Sequence, residues 1–252
     1  MAELYVYGVA RSGGAAELSP EGVEGRPVTR LERGPVAAIV SEAPEVPVKA
    51  NRRNLLAHTG VLQQVLESEC VLPMQFGVVM PSESAVADEL LAAHEEDLRE
   101  RLEMFDGLVE VELKVTCPEE VLLRRVMAER PDLVAMREGM RGKPADATYF
   151  ERLRLGELVA AAVEETRDAV RDHVIGRLER AAVDTAVSEP AHEQMLVNVA
   201  FLVERARLSD FDKRVDTVAR DLGPDLRCKY AGPLPAFHFV DTPSGQGSAA
   251  WA

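Results

Sequence analysis

The sequence predicts an α+β protein built from two domains, on three observations. At 252 residues the chain has the length of one large or two ordinary domains, and Asp106-Gly107 punctuates it near the middle. Beyond that point the segments run strand, helix, strand, strand, helix, strand, the βαββαβ order of a split-βαβ or ferredoxin-like domain. Before it, Cys70–Ser82 (CVLPMQFGVVMPS) carries no charge between charged, helix-patterned flanks, and its Val and Leu residues suit a strand covered on both faces. The expected division is 1–105, then 106–240 with an insertion near 118–148, then a disordered tail over 241–252.

Leu4–Ala10 has the alternation of a strand, with Tyr5 and Tyr7 on one face and Leu4 and Val6 on the other. Val28–Glu32 and Val36–Ser41 are expected to form a hairpin around Gly34-Pro35, and Pro44 and Pro47 end it by removing backbone donors. Asn51–Glu69 is helical in pattern, with Leu55, Leu62 and Leu66 lining its buried stripe. His58 on this helix has no partner at ligand spacing and is assigned as an ordinary helix histidine. In the uncharged stretch, Pro73 belongs near a strand start or bulge and Gly77 marks a bulge or a close backbone approach. The stretch serves either as an irregular core strand or as the wall of a ligand groove. Ser82 or Ser84 then caps a helix to about Phe105 whose outer face, Glu95, Glu96, Asp97, Glu100 and Glu103, is solvated.

Leu108–Val115 alternates Leu/Val with Glu/Lys and predicts a strand with one wet face. Pro118 opens a helix through Arg130, which Pro131 interrupts. Met136–Thr148 (MREGMRGKPADAT) is basic and lacks apolar periodicity, so an exposed loop is expected there. Tyr149–Ala182 is the longest helical pattern, with Leu155, Leu158, Ala162, Val170, Val174 and Leu178 as its stripe. Val183–Ser188 and Leu196–Val203 follow as strands, the second central in its sheet. Ser209 is expected to cap a helix to Leu222, and Leu226–Tyr230 to form the last strand before an extended apolar segment to Val240.

Forty-three acidic against 29 basic residues give a formal charge of −14, a field that repels phosphate backbones and argues against nucleic acid as a partner. The three cysteines, Cys70, Cys117 and Cys228, are an odd number without CxxC spacing, which favours a reducing compartment over a disulfide framework. No apolar run approaches the roughly 20 residues of a membrane span, and the N-terminus lacks a signal-peptide pattern, so a cytoplasmic protein is expected. Chemistry-bearing motifs fail one by one. Arg141-Gly142-Lys143-Pro144 has neither the spacing nor the hydroxyl of a P-loop. Leu98 and Leu196 stand where HExxH needs a second histidine, and Ser12 in VARSGG lacks the first glycine of a GxSxG elbow. No catalytic residue, metal ligand or cofactor site is assigned.

Five stretches carry a resemblance when taken in order: YVYGV (5–9), VLPMQFGVVMPSE (71–83), VELKVT (111–116), NVAFLVER (198–205) and KYAGPLPAFHFV (229–240), with the long charged helix between the third and fourth. Together they resemble the gas vesicle protein F/L family, over about Leu4–Val240. The resemblance implies an N-terminal α+β domain followed by a modified ferredoxin-like domain. It implies a non-enzymatic accessory or minor structural role in assembling gas vesicles. The partners it implies are the small hydrophobic major shell protein and other gas vesicle accessory proteins, and the location is the vesicle or the cytoplasm. A soluble acidic protein that covers apolar edges or faces would limit premature shell-protein aggregation. The nominated contact is Arg137, Arg141 and Lys143, the basic residues of the expected loop. The alternative is a metabolic or regulatory enzyme holding a small molecule on the ferredoxin-like domain, which would require a deep pocket with converging polar groups.

Overall fold

A computed structural model describes residues 2–14, 18, 21–44, 47–144 and 146–240; the expected disordered tail lies outside the described residues. It is a mixed α+β structure with two antiparallel sheets. Two compact units are present. One comprises Met1–Val111, Leu202–Ala206 and Gly232–Ala252, the other Glu112–Phe201 and Arg207–Ala231.

The first unit is organised on β1 (Leu4–Arg11), whose residues Leu4 to Ala10 are all buried. Its sheet runs β2 (Val28–Arg33), β3 (Val36–Glu42), β1, β4 (Val71–Pro73), with β5 (Val79–Met80) also paired to β1. The β2–β3 register closes at Arg33 opposite Val36, and Gly34 supplies the positive φ of 58° that a two-residue hairpin turn needs. The β1–β3 register shifts between Val6 and Gly8. A Cβ on Gly8 would lie 2.6 Å from the Leu72 carbonyl, so only glycine lets β4 approach β1 here. The uncharged stretch thus forms two short strands rather than one: Pro73 ends β4 opposite Gly8, and the chain leaves the ladder until β5.

Helix α1 (Arg52–Ser68) starts at Asn51, whose side-chain oxygen accepts from the Asn54 amide at 2.9 Å. Its buried positions are Asn54, His58, Val61, Leu62, Val65 and Leu66, while Leu55 is 43% exposed. The stripe is therefore centred away from Leu55, and a histidine takes the position where leucine was expected. Ser82 caps the next segment by accepting from the Ala85 amide at 3.1 Å. That segment is not one helix: α2 (Glu83–Ala85) passes into a π-helical turn over Val86–Ala92, and α3 (Glu95–Met104) begins only after a break. Its inward residues Val86, Leu90, Leu91, Leu98, Leu102 and Phe105 nevertheless pack into one core with Leu4, Val6, Leu72 and Met74.

The remaining elements follow as β6 (Leu108–Thr116), α4 (Glu119–Glu129), α5 (Pro131–Gly139), α6 (Tyr149–Leu178), β7 (Asp184–Val187), β8 (Met195–Glu204), α7 (Leu208–Leu222) and β9 (Arg227–Leu234). Their sheet has the order β7-β8-β6-β9, which puts β8 in the interior as its near-continuous apolar run demands. Arg207 rather than Ser209 occupies the cap position of α7, and Phe211, Val215 and Val218 face inward. Pro131 does not separate a helix from a loop. Lacking an N–H, it suits the first turn of α5, whose Leu133 is fully buried. The expected loop is thereby helical as far as Gly139. The wet face of β6 is also less wet than its alternation implies, because Glu110 is fully buried.

Candidate functional site

Polar groups gather against apolar surface in each unit. In the first unit, α1 delivers His58 onto the tyrosines of β1. Tyr5 Oη lies 2.9 Å from His58 Nδ1, and His58 Nε2 lies 3.1 Å from the Met74 carbonyl. A carbonyl only accepts, so Nε2 carries the proton and donates to it, leaving Nδ1 to accept from the Tyr5 hydroxyl. That hydroxyl in turn accepts from the Gly77 amide at 3.0 Å. Tyr7 stacks on the His58 ring at 5.5 Å, and its hydroxyl accepts from the Val23 amide and contacts Ser41 Oγ at 3.1 Å.

Burial lowers the His58 pKa to about 4 and pushes both tyrosines upward. The imidazole is neutral at pH 7 with both nitrogens engaged, so the group has no free proton or lone pair to offer a substrate. A cavity of about 270 Å³ opens beside it, lined mainly by apolar atoms of Leu55, Met74, Phe76, Phe237 and Val240. The arrangement fixes the chain between β4 and β5 onto α1 and β1. Its chemistry is structural.

In the second unit, Arg137 lies on the last turn of α5, while Arg141 and Lys143 lie in the turns that follow. Glu138 accepts from Arg137 at 3.5 Å and from Arg141 at 3.2 Å, so one carboxylate is shared between two of the three nominated cations. Arg141 remains 82% exposed. A concavity of about 650 Å³ is lined by Arg137, Arg141, Arg152, Met140 and Leu155, between the end of α5 and the start of α6. Directly after it stand three apolar side chains that the sequence stripe did not single out: Tyr149, Phe150 and Leu153, exposed by 61, 80 and 53%. Their signal was available. Tyr149, Leu153, Gly156 and Ala160 recur at helical spacing on a second face of the same helix, beside the stripe that begins at Leu155. The turns after α5 and the start of α6 thus carry exposed basic and apolar side chains within an acidic chain.

Residues 3–241 match the family model described as gas vesicle synthesis protein GvpL/GvpF. The chain belongs to that family. It is 37% identical over 242 residues to gas vesicle protein F of Streptomyces sp. (strain CB03234), covering 94% of this chain and 99% of that one. Gas vesicle protein L of the same strain is 27% identical over 256 residues, covering 94% of this chain and 92% of that one. Among solved structures, the crystal structure of the gas vesicle protein GvpF from Anabaena sp. PCC7120 superposes with a TM-score of 0.83 at 25% identity, over 96% of this chain and all of that one. Among the described residues of this GvpL/GvpF family member, no helix is long and apolar enough to cross a membrane.

Proposed function

We propose that this protein is a non-enzymatic accessory or minor structural component of gas vesicles, acting in the cytoplasm or on the vesicle itself. It binds the major shell protein and limits its aggregation before assembly. Family membership supports the setting, and the observation that carries the binding role is the exposed Tyr149–Phe150 aromatic pair, with exposed Leu153, at the start of α6, the helix whose Arg152 lines the basic concavity. Exposed ion pairs contribute only about 0–1 kcal/mol each, so affinity must come from apolar contact, and the aromatic pair supplies it. An F-type role is favoured, because this chain resembles the F protein of one Streptomyces strain more than the L protein of the same strain. The second unit is assigned as a modified ferredoxin-like domain with α5 inserted, an assignment supported by the element order β6-α4-α5-α6-β7-β8-α7-β9.

Shell subunit diluted from denaturant should scatter less light in the presence of this chain and co-elute with it on a sizing column. Replacing Tyr149 and Phe150 by Ala should weaken that complex by at least about tenfold. Replacing Arg137, Arg141 and Lys143 by Ala should weaken it modestly and flatten its salt dependence. Equal scattering with and without the chain, and no complex, would refute the role.

A further inference from the structure

On the α4 side of α6 runs a groove of about 560 Å³. Leu122 and Leu123 of α4 form one wall, and Gly156, Val159, Ala160 and Val163 of α6 form the floor. Gly156, Ala160, Val163 and Arg167 recur at helical spacing, so the groove follows α6 for roughly 16 Å, a length of about three helical turns. Where Gly156 would carry a Cβ, no atom beyond its chain neighbours and the backbone of its own helix lies within 4 Å. The floor is low and open, which lets a second helix axis approach to about 8–10 Å. Glu119, Glu164 and Glu193 line this groove against the single Arg167, leaving a net acidic lining.

Arg167 closes one end of the groove and is held in place by the chain itself. Its Nη1 donates to Glu164 at 2.7 Å and its Nη2 to the Glu193 carbonyl. Its Nε is buried without an acceptor, the one such side-chain atom among the described residues.

We propose that this groove is the docking site for an amphipathic helix of another protein, apolar on the face it buries and bearing Lys or Arg along its flanks. The apolar floor fixes the first property and the acidic lining the second. A second copy of this chain fits poorly, since each copy carries a formal charge of −14 and would bring like charge to like. The inference does not depend on the shell protein being the partner, because its probe is a designed helix and its variants leave Tyr149 and Phe150 in place.

The probe is a fluorescein-labelled 18-residue designed helix with Leu and Ala on one face and Lys on both flanks. Its counterpart carries Glu in place of Lys, and both are titrated by anisotropy against the full chain at physiological salt. The Lys helix should bind at least about tenfold more tightly than the Glu helix. Gly156→Leu should weaken the Lys helix by at least about tenfold with the circular dichroism spectrum unchanged, since the new side chain enters open space. Ala160→Gln, at another exposed position on the floor, should act in the same direction and stands in if the leucine variant fails to fold. Glu119→Lys with Glu193→Lys should reverse the preference toward the Glu helix. Binding unaffected by the floor variants would assign the attraction to the general acidic surface and overturn the proposal, as would no binding of either helix. A wild-type dimer that Gly156→Leu converts to monomer would assign the groove to a second copy and overturn it equally.

Discussion

His58 is 3% exposed, donates to one carbonyl and accepts from one phenol, and titrates near pH 4. In the unfolded chain the same side chain titrates near its ordinary value of 6.5. Between those values the unfolded state binds the extra proton, so this residue's contribution to stability is complete above pH 6.5 and is lost as pH falls toward 4. The loss amounts to at most about 3 kcal/mol. His58→Phe should remove that slope from urea midpoints measured between pH 7 and 4, while lowering stability at pH 7 by orphaning the Met74 carbonyl and one Tyr5 bond. A slope identical to wild type would refute the assignment. The sequence placed His58 correctly on a helix but could not supply its role. Tyr5 lies 53 residues away in sequence, and the pairing of β1 with β4 and β5 brings the Met74 carbonyl to the imidazole and the Gly77 amide to the phenol. Arg137 illustrates the opposite case: its exposure was legible from composition, whereas the Glu138 carboxylate shared with Arg141 was hidden by the loop assignment.

Most helices and strands were legible from apolar spacing, and the misplaced boundaries lie where packing or distant groups decide the backbone. The hairpin β2–β3, α1 with its Asn51 cap, α6 and α7 depend on local signals that tertiary packing did not override. The break within 71–80 arises where a distant side chain satisfies the backbone, as the Tyr5 hydroxyl does for the Gly77 amide, whereas that within 83–104 follows a π-helical turn closed by the Ala93 amide on the Asp88 carbonyl; apolar spacing encodes neither. Within α6, two faces are apolar. The second face, through Tyr149, Leu153, Gly156 and Ala160, holds the groove floor and part of the proposed shell-protein contact, and its Gly and Ala carry too little apolar weight to stand out beside the stripe that begins at Leu155. Gly156 is exposed in the interior of this helix and carries the usual entropic penalty there. Gly156→Ala should therefore raise helix stability by about 0.5–1 kcal/mol, read as a higher thermal midpoint. A neutral or destabilised variant would mean that the glycine is needed for close approach within the chain itself, and would weaken the case for a groove kept open for a partner.

At the scale of the whole chain, the first unit is completed by its end. Ala236 and Val240 belong to the same buried core as Leu4, Val6 and Met74, so the polypeptide returns after β9 to close a unit it began at β1. Glu110 records that return. Its carboxylate is 0% exposed and accepts from the His238 amide at 2.8 Å and from His238 Nδ1 at 2.7 Å. A chain ending at Leu234 loses both donors together with the buried Ala236 and Val240. Burying Val and Ala contributes about 2–3 kcal/mol, and a buried carboxylate stripped of its partners costs about 3–5 kcal/mol unless water reaches it. The two contributions are separable. Glu110→Gln should destabilise the full-length chain, because His238 loses a charged acceptor, but should recover part of the loss in the truncated one, where the amide leaves no unpaired charge. Two compact units make a single global unfolding free energy a poor readout. Hydrogen exchange of the Met74 and Gly77 amides, bonded to the Tyr7 carbonyl and Tyr5 hydroxyl, reports the first unit directly. Truncation at Leu234 should accelerate exchange at both, and Glu110→Gln should slow it again in the truncated chain alone; equal protection in full-length and truncated proteins would mean that the closing segment does not stabilise the unit it packs into.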